Sequence, residues 1–97
     1  MIIILPSARE DLANGAEFYE SQSNGLGTYF LETLFTEIEK LDQFAGIHPI
    51  VFGFHRLLSE RFPYAIYYLT EADSIVVKAI LDCRRNPKWI RERLRNE

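Results

Sequence analysis

Two consecutive arginines are the residues of this chain best suited to grip a charged partner. Arg84 and Arg85 directly follow an apolar stretch, and a proline and a tryptophan come just after them. A guanidinium group donates two parallel hydrogen bonds to a phosphate or a carboxylate. At the end of a buried strand, a sheet would hold such groups rigidly against a partner. The alternative is a solvated strand end, with the arginines paired to Asp82 or Glu92.

Two further arginines flank a predicted turn between strands. Arg56 and Arg61 lie on either side of the connection at residues 59–61. They could join Arg84 on one target-binding surface. They could equally be edge charges that discourage strand-to-strand aggregation.

The sequence supplies no recognisable metal site or activated nucleophile. His48, His55 and Cys83 match no spacing of metal ligands, and there is no second cysteine. No histidine or aspartate is placed by the sequence to activate the Cys83 thiol. We interpret His55, in a predicted strand, as a structural or exposed side chain rather than a base. We therefore expect no metal and no cofactor, and the sequence identifies no catalytic residue.

Charge is distributed unevenly along the chain. Residues 1–77 hold four basic and eleven acidic side chains, a balance of −7, whereas residues 78–97 hold seven basic and three acidic ones, a balance of +4. A basic end on an acidic body can meet an anionic partner locally, but it is not a surface for nonspecific nucleic-acid binding.

Length and composition indicate one ordinary globular domain over residues 1–97. A single cysteine excludes an internal disulfide and suits a reducing cytoplasm. The short apolar run at residues 2–5 predicts neither a signal peptide nor a membrane span.

Hydrophobic patterning predicts a strand, two helices and then three strands. Ser7 and Glu10 have the form of a capping box that would start the first helix, and a short turn leads to a second helix at about residues 26–44. The strand at 62–70 is apolar on both faces, which indicates a central strand covered on both sides. A short helix is compatible with the tail after Pro87. The other strands are predicted at residues 1–5, 50–58 and 75–82.

This order predicts an α+β fold, with a twisted antiparallel sheet of about four strands and a helical hairpin on one face. The helices should form an antiparallel pair because their connection is short. The residues expected in the core are Leu12, Ala16, Phe30, Leu34, Ile38, Leu41, Ile66, Tyr68 and Val77.

The chain resembles the RelE/ParE superfamily, the toxins of type II toxin–antitoxin modules, and is most similar to its ParE-like branch of plasmid stabilisation proteins. The resemblance is carried by Phe62-Pro63-Tyr64-x-Ile66-x-Tyr68, by the strand at 75–81 and by Arg84-Arg85-x-Pro87. A weaker part is Ala8-x-x-Asp11-Leu12 followed by Tyr19. The resemblance implies the same fold, order β-α-α-β-β-β, with the first strand inserted beside the later ones.

Two toxic activities are implied by the resemblance. RelE-like members cut mRNA on the ribosome without a metal, and ParE-like members inhibit DNA gyrase. Where RelE-like nucleases often have an arginine, this chain has Ala65, and near a position that can hold their acid–base group it has Asn86, which cannot titrate. These departures favour gyrase inhibition, with Arg84, Arg85, Arg56 and Arg61 as target-binding residues, over an endoribonuclease. ParE-like members, however, often have a histidine where this chain has Cys83.

The resemblance also implies a cognate antitoxin as partner in a heteromeric complex. Leu31 and Phe35 lie outside the main apolar row of the second helix and offer more apolar surface than one sheet face requires. We predict that they contact an acidic or amphipathic antitoxin segment that folds on binding. A degenerate, non-toxic module that only binds an antitoxin is a third interpretation of the same sequence.

Overall fold

The computed structural model describes residues 1–96. Its strands are β1 (Ile2–Ile4), β2 (Ile50–Val51), β3 (Phe54–Leu58), β4 (Tyr64–Glu71) and β5 (Ser74–Asp82). Its helices are α1 (Pro6–Gln22), α2 (Leu26–Glu39), α3 (Leu41–Phe44) and α4 (Pro87–Arg95). The strands form one five-stranded sheet in the order β1-β5-β4-β3-β2. The α+β class is therefore confirmed.

The sheet is mixed rather than wholly antiparallel. The meander of β3, β4 and β5 is antiparallel as predicted, but β1 pairs with β5 in parallel, with Ile2 opposite Ile75 and Ile4 opposite Val77. Apolar alternation shows which face of a strand is buried, but it does not fix the direction of pairing between strands far apart in the chain. The expectation of an antiparallel pairing for the first strand was wrong for this reason.

The fifth strand arises because the predicted strand at 50–58 is a tight hairpin. Phe52 and Gly53 both have positive φ, 54° and 87°, so the chain reverses over two residues. Val51 then pairs with Phe54, and β2 becomes the outer strand. The sequence has only Gly53 as a signal, since phenylalanine rarely adopts a left-handed conformation.

The helical hairpin is closed by a glycine and a carboxylate. A Cβ on Gly27 would lie 2.5 Å from the Ala16 carbonyl oxygen, so α1 and α2 approach too closely there for any side chain. The Glu20 carboxylate of α1 accepts hydrogen bonds from the Gly25 and Gly27 amides, at 2.9 Å each, and so caps the start of α2. The antiparallel pairing of the helices is confirmed, and the tight crossing fixes how the pair sits on the sheet.

Two predicted helix boundaries differ from the structure. The Ser7–Glu10 capping box does not form: α1 begins at Pro6, and Leu5 precedes it without a side-chain cap. Proline suits the first helical position because its fixed φ is already helical and it has no amide to satisfy. The second predicted helix is interrupted at Lys40, so residues 26–44 form two helices, α2 and the short α3.

The main core lies between the hairpin and the sheet. Leu34 is fully buried and, like Phe30 and Ile38, projects from α2 toward Ile66 and Tyr68 of β4. All nine residues predicted for the core belong to this cluster, with Ala16 partly buried at its margin.

A second, smaller core lies on the opposite face of the sheet. Helix α4 covers this face with Ile90 and Leu94, which pack on Ala65, Tyr67 and other side chains of β4 and β5. Both the tail helix and the two-sided burial of the central strand are thereby confirmed.

The loop after α3 is fastened to the core by Tyr68. The buried Tyr68 hydroxyl accepts a hydrogen bond from the Gly46 amide at 2.9 Å and lies 2.5 Å from His48 Nδ1. His55 stacks on Tyr68 and contacts the His48 carbonyl through Nδ1 at 2.8 Å. The structural interpretation of His55 agrees with these contacts.

Replacing Leu34 by alanine should lower the free energy of unfolding by about 2–5 kcal/mol, because the side chain is fully buried between both layers. Urea denaturation followed by circular dichroism measures this loss. Phe35, the next residue along α2, is 39% exposed, and its alanine variant serves as the control with a much smaller change. Equal losses for the two variants would contradict the packing described here.

Candidate functional site

The two arginines of the predicted target-binding edge lie in a short, rigid connection between β5 and α4, residues 83–86, which we call the knuckle. Its start is tied to the preceding strand connection, since the Cys83 amide donates to the Pro63 carbonyl at 2.8 Å. Its end is fixed by Asn86, whose side chain accepts from the Lys88 amide at 2.8 Å and caps α4. The knuckle therefore has little freedom to rearrange.

Arg84 is held by Asp82. Its Nε and one terminal nitrogen donate to the two carboxylate oxygens at 3.0 and 2.7 Å, and its backbone amide donates to the same group at 2.8 Å. These hydrogen bonds lower the pKa of Asp82 and raise the pKa of Arg84. The Arg84 side chain is still 64% exposed. The predicted ion pair between Arg84 and Asp82 therefore forms. It orients the guanidinium group but leaves it accessible to a partner.

Arg85 has a different neighbour. Its guanidinium lies over the Trp89 ring, 3.7 Å from the centroid, in a cation–π contact across the first turn of α4. Among residues 1–96 no carboxylate forms a salt bridge with Arg85. Its charge is therefore available to a partner, on a side chain whose position is set by stacking.

A cleft of about 500 Å³ opens beside the knuckle, between α1 and α4. Three aromatic rings line it, together with charged groups of both signs. The lining side chains nearest the knuckle are Phe18, Tyr64, Asp82, Arg85 and Trp89.

An ion pair that joins α1 and α4 to the sheet also lines the cleft. Asp11 of α1 accepts from the Ile80 amide of β5 at 3.0 Å and from one terminal nitrogen of Arg93 at 2.9 and 2.7 Å. That nitrogen also contacts the Ser7 carbonyl at 3.3 Å. Burial raises the pKa of the Asp11 carboxyl, against the opposing effects of the Ile80 amide and Arg93. In the sequence, the only signal for this pair was the opposite charge of two residues in separate predicted helices.

Arg56 and Arg61 are held differently from the knuckle arginines. Arg56 lies opposite Tyr67 in the β3–β4 ladder and therefore points to the face covered by α4. Burial raises the pKa of both Tyr67 and Cys83, and the charge of Arg56 acts to lower it. The Arg56 Nε is buried and has no hydrogen-bond partner within residues 1–96. Arg84, in contrast, lies by Tyr19 and Tyr64 on the side of the helical hairpin. Arg61 is exposed in the β3–β4 connection.

The predicted antitoxin-binding residues differ in exposure. Leu31 is partly buried against the main core, and Phe35 is 39% exposed on α2. Within residues 1–96, no three histidine, cysteine, aspartate or glutamate side chains come together as a metal site. None of the helices in this part of the chain is long and apolar enough to cross a membrane.

A helical hairpin on one face of this sheet and a basic terminal helix on the other define a ParE-like α+β fold. Among solved structures, the chain is similar to a chain of the chromosomal ParDE TA system from P. aeruginosa, with a TM-score of 0.68 and 20% sequence identity over 81% of this chain and 90% of that one. The sequence matches no protein-family model and no curated protein. The resemblance found in the sequence is thus confirmed at the level of the fold.

Removal of the Arg93 charge should destabilise the protein and loosen α4. Arg93→Met leaves the partly buried Asp11 carboxylate without its cation, and we expect a loss of about 1–3 kcal/mol. Chemical denaturation measures the loss, and hydrogen exchange at residues 88–95 reports on α4. Arg95→Met, at an exposed position of the same helix, is the matched control. Unchanged stability and exchange in Arg93→Met would show that the bridge does not hold the helix.

Proposed function

We propose that this protein is the toxin of a type II toxin–antitoxin module, that it inhibits DNA gyrase through the Arg84–Arg85 knuckle, and that a cognate antitoxin neutralises it in the cytoplasm. The observation that carries the toxin assignment is the fold shared with a chain of a ParDE TA system. The order of the motifs in the sequence agrees with this assignment.

The chemistry around the knuckle supports a binding function over RNA cleavage. Metal-free cleavage needs a base and an acid whose pKa values lie near the working pH. Burial raises the pKa of Tyr64 above its ordinary value of 10.0, so the phenol stays protonated at neutral pH. Arg84 lowers the pKa of Asp82, so this carboxyl stays ionised and is a poor proton donor. Neither group is tuned for proton transfer.

The two positions that depart from the nuclease pattern have structural roles instead. Ala65 is fully buried beneath α4 among apolar side chains, where an arginine would have no room. Asn86 caps α4 with its side-chain oxygen. Both residues serve the placement of the tail helix, which in turn positions Trp89 under Arg85.

Gyrase recognition would then depend on two differently held guanidinium groups. Arg84 is oriented by a carboxylate and Arg85 by an aromatic ring. Arg56 points to the face covered by α4 whereas Arg84 lies beside the helical hairpin, so we expect Arg56 to contribute less to target binding. Arg61 is exposed in the connection that contacts Cys83 through Pro63, and we propose that it assists Arg84 and Arg85.

Replacing both Arg84 and Arg85 by alanine should relieve growth arrest in cells that express the protein. The protein should fold as before, because both side chains are exposed. A matched control is Lys88→Ala with Arg91→Ala, which removes two exposed charges from α4 but leaves the knuckle intact. Arrest that persists in the knuckle variant, with normal expression, would remove these arginines from the target surface.

The target itself is tested with purified protein in two assays side by side. Inhibition of gyrase supercoiling without cleavage of ribosome-bound mRNA is the expected result. Ribosome-dependent cleavage with normal supercoiling would instead assign the protein to the endoribonucleases, the second activity implied by the sequence. Inactivity in both assays, together with tight antitoxin binding, would identify a non-toxic antitoxin-binding module.

Antitoxin binding should depend on the exposed apolar surface of α2. Phe35→Asp places a charge where we expect apolar contact, and it should weaken the complex by at least about tenfold, as for a modest interface hot spot. Isothermal titration calorimetry with the product of the adjacent reading frame measures the affinity, and Glu39→Gln on the same helix is the control. Saturating antitoxin should also raise the melting temperature of the unmodified protein. Wild-type affinity in Phe35→Asp would place the antitoxin elsewhere.

A further inference from the structure

The outer side of β3 is only partly covered by β2. The two strands pair at Phe54 and His55, and the last hydrogen bond of this kind runs from the Arg56 amide to the Pro49 carbonyl at 2.9 Å. Beyond that point, no strand within residues 1–96 lies beside β3 on this side. Peptide groups alternate along a strand, so those of Leu58 face the same side as those of Arg56. The backbone at Leu58 is therefore directed toward an open edge.

A carboxylate occupies the place where a neighbouring strand would continue. Glu37 of α2 accepts a hydrogen bond from the Glu60 amide through Oε2 at 2.9 Å. Its other oxygen, Oε1, is buried and has no hydrogen-bond partner among the described residues. A buried acceptor without a partner is costly, so a small rotation of the carboxylate that lets Oε1 meet a donor from an added segment would be favourable.

An apolar groove of about 220 Å³ lies beside this edge. Leu58, Phe44 and Ile47 line it and are 51%, 48% and 72% exposed, so they form an apolar rim that residues 1–96 leave largely uncovered. Glu37 and Glu60 line the groove as well, against the single cation Lys40. The groove thus offers apolar walls and a net negative charge.

We propose that this open edge binds an extended, basic amphipathic segment of a partner protein. The segment would pair with the backbone at Leu58, insert one bulky apolar side chain into the groove and place a lysine or arginine against Glu37 and Glu60. Strand addition supplies the main-chain hydrogen bonds, and the groove and the two carboxylates select the side chains. This inference is independent of the gyrase assignment, because it uses no residue of the knuckle.

Charge argues against a second copy of this chain as the occupant. Pairing of the same edge across a two-fold axis would bring the negatively charged grooves of both copies to one interface. Like charges facing each other in a sheet are unfavourable. A basic partner segment reverses this repulsion.

Binding is tested by nuclear magnetic resonance with three capped synthetic pentapeptides: alternating lysine and leucine, alternating glutamate and leucine, and alternating lysine and serine. We expect the lysine–leucine peptide to shift the amide signals of Glu37 and of residues 57–60. Its affinity should exceed that of each other peptide by at least about tenfold, since the glutamate–leucine peptide carries the opposite charge and the lysine–serine peptide lacks the apolar side chain. Equal affinity for the lysine–serine peptide would reduce the effect to general charge attraction and overturn the proposal.

Protein variants separate the parts of the site. Glu37→Gln with Glu60→Gln should lower the affinity for the lysine–leucine peptide by about tenfold or more, whereas Glu39→Gln, elsewhere on α2, should not change it. A lysine–leucine peptide with N-methylated backbone amides should bind weakly, which tests strand pairing without altering the protein. Full affinity for the methylated peptide, shifts confined to the knuckle, or no shifts at millimolar peptide would each refute strand addition at this edge.

Discussion

The hydrogen-bonded carboxylate of Asp11 is the constraint on which the rest of this structure depends. β1 covers the outer side of β5 only as far as Val77, so the strand would otherwise present open peptide groups between two helices. Asp11 accepts from the Ile80 amide and pairs with Arg93, and so one side chain joins α1, β5 and α4. Because α4 is held over the second face, its buried residues complete the smaller core and Trp89 is in place beneath Arg85.

A carboxylate from the helical hairpin is placed at each incompletely paired side of the sheet. Asp11 serves the β5 side, where it is satisfied by both a backbone amide and Arg93. Glu37 lies at the β3 side, where one of its oxygens has no hydrogen-bond partner among the described residues. Carboxylates at such positions prevent indiscriminate strand pairing. The difference between them suggests a division of roles, in which the β5 side is closed to support the knuckle and the β3 side is open to a partner.

The sequence by itself determined most of the elements and the main core. The stripe of Phe30, Leu34 and Ile38 and the two-sided apolar pattern of residues 62–70 specify a helix on a covered central strand, because local periodicity and burial are directly coupled. The resemblance also pointed to the correct fold. The arginine pair was placed at the end of β5 by the pattern itself, because an apolar strand runs straight into these charged residues.

Only the tertiary structure decided which side chains act together. The parallel pairing of β1, the hairpin at Phe52–Gly53 and the separation of Arg56 from Arg84 follow from strand directions and turn conformations that no local pattern specifies. Asp11 and Arg93 are 82 residues apart, and Glu37 and Glu60 are 23 apart. Such contacts form because packing of the apolar layers brings distant polar groups to the same edge. The sequence therefore contains the charged and polar residues, and the packing of the layers determines which of them form pairs.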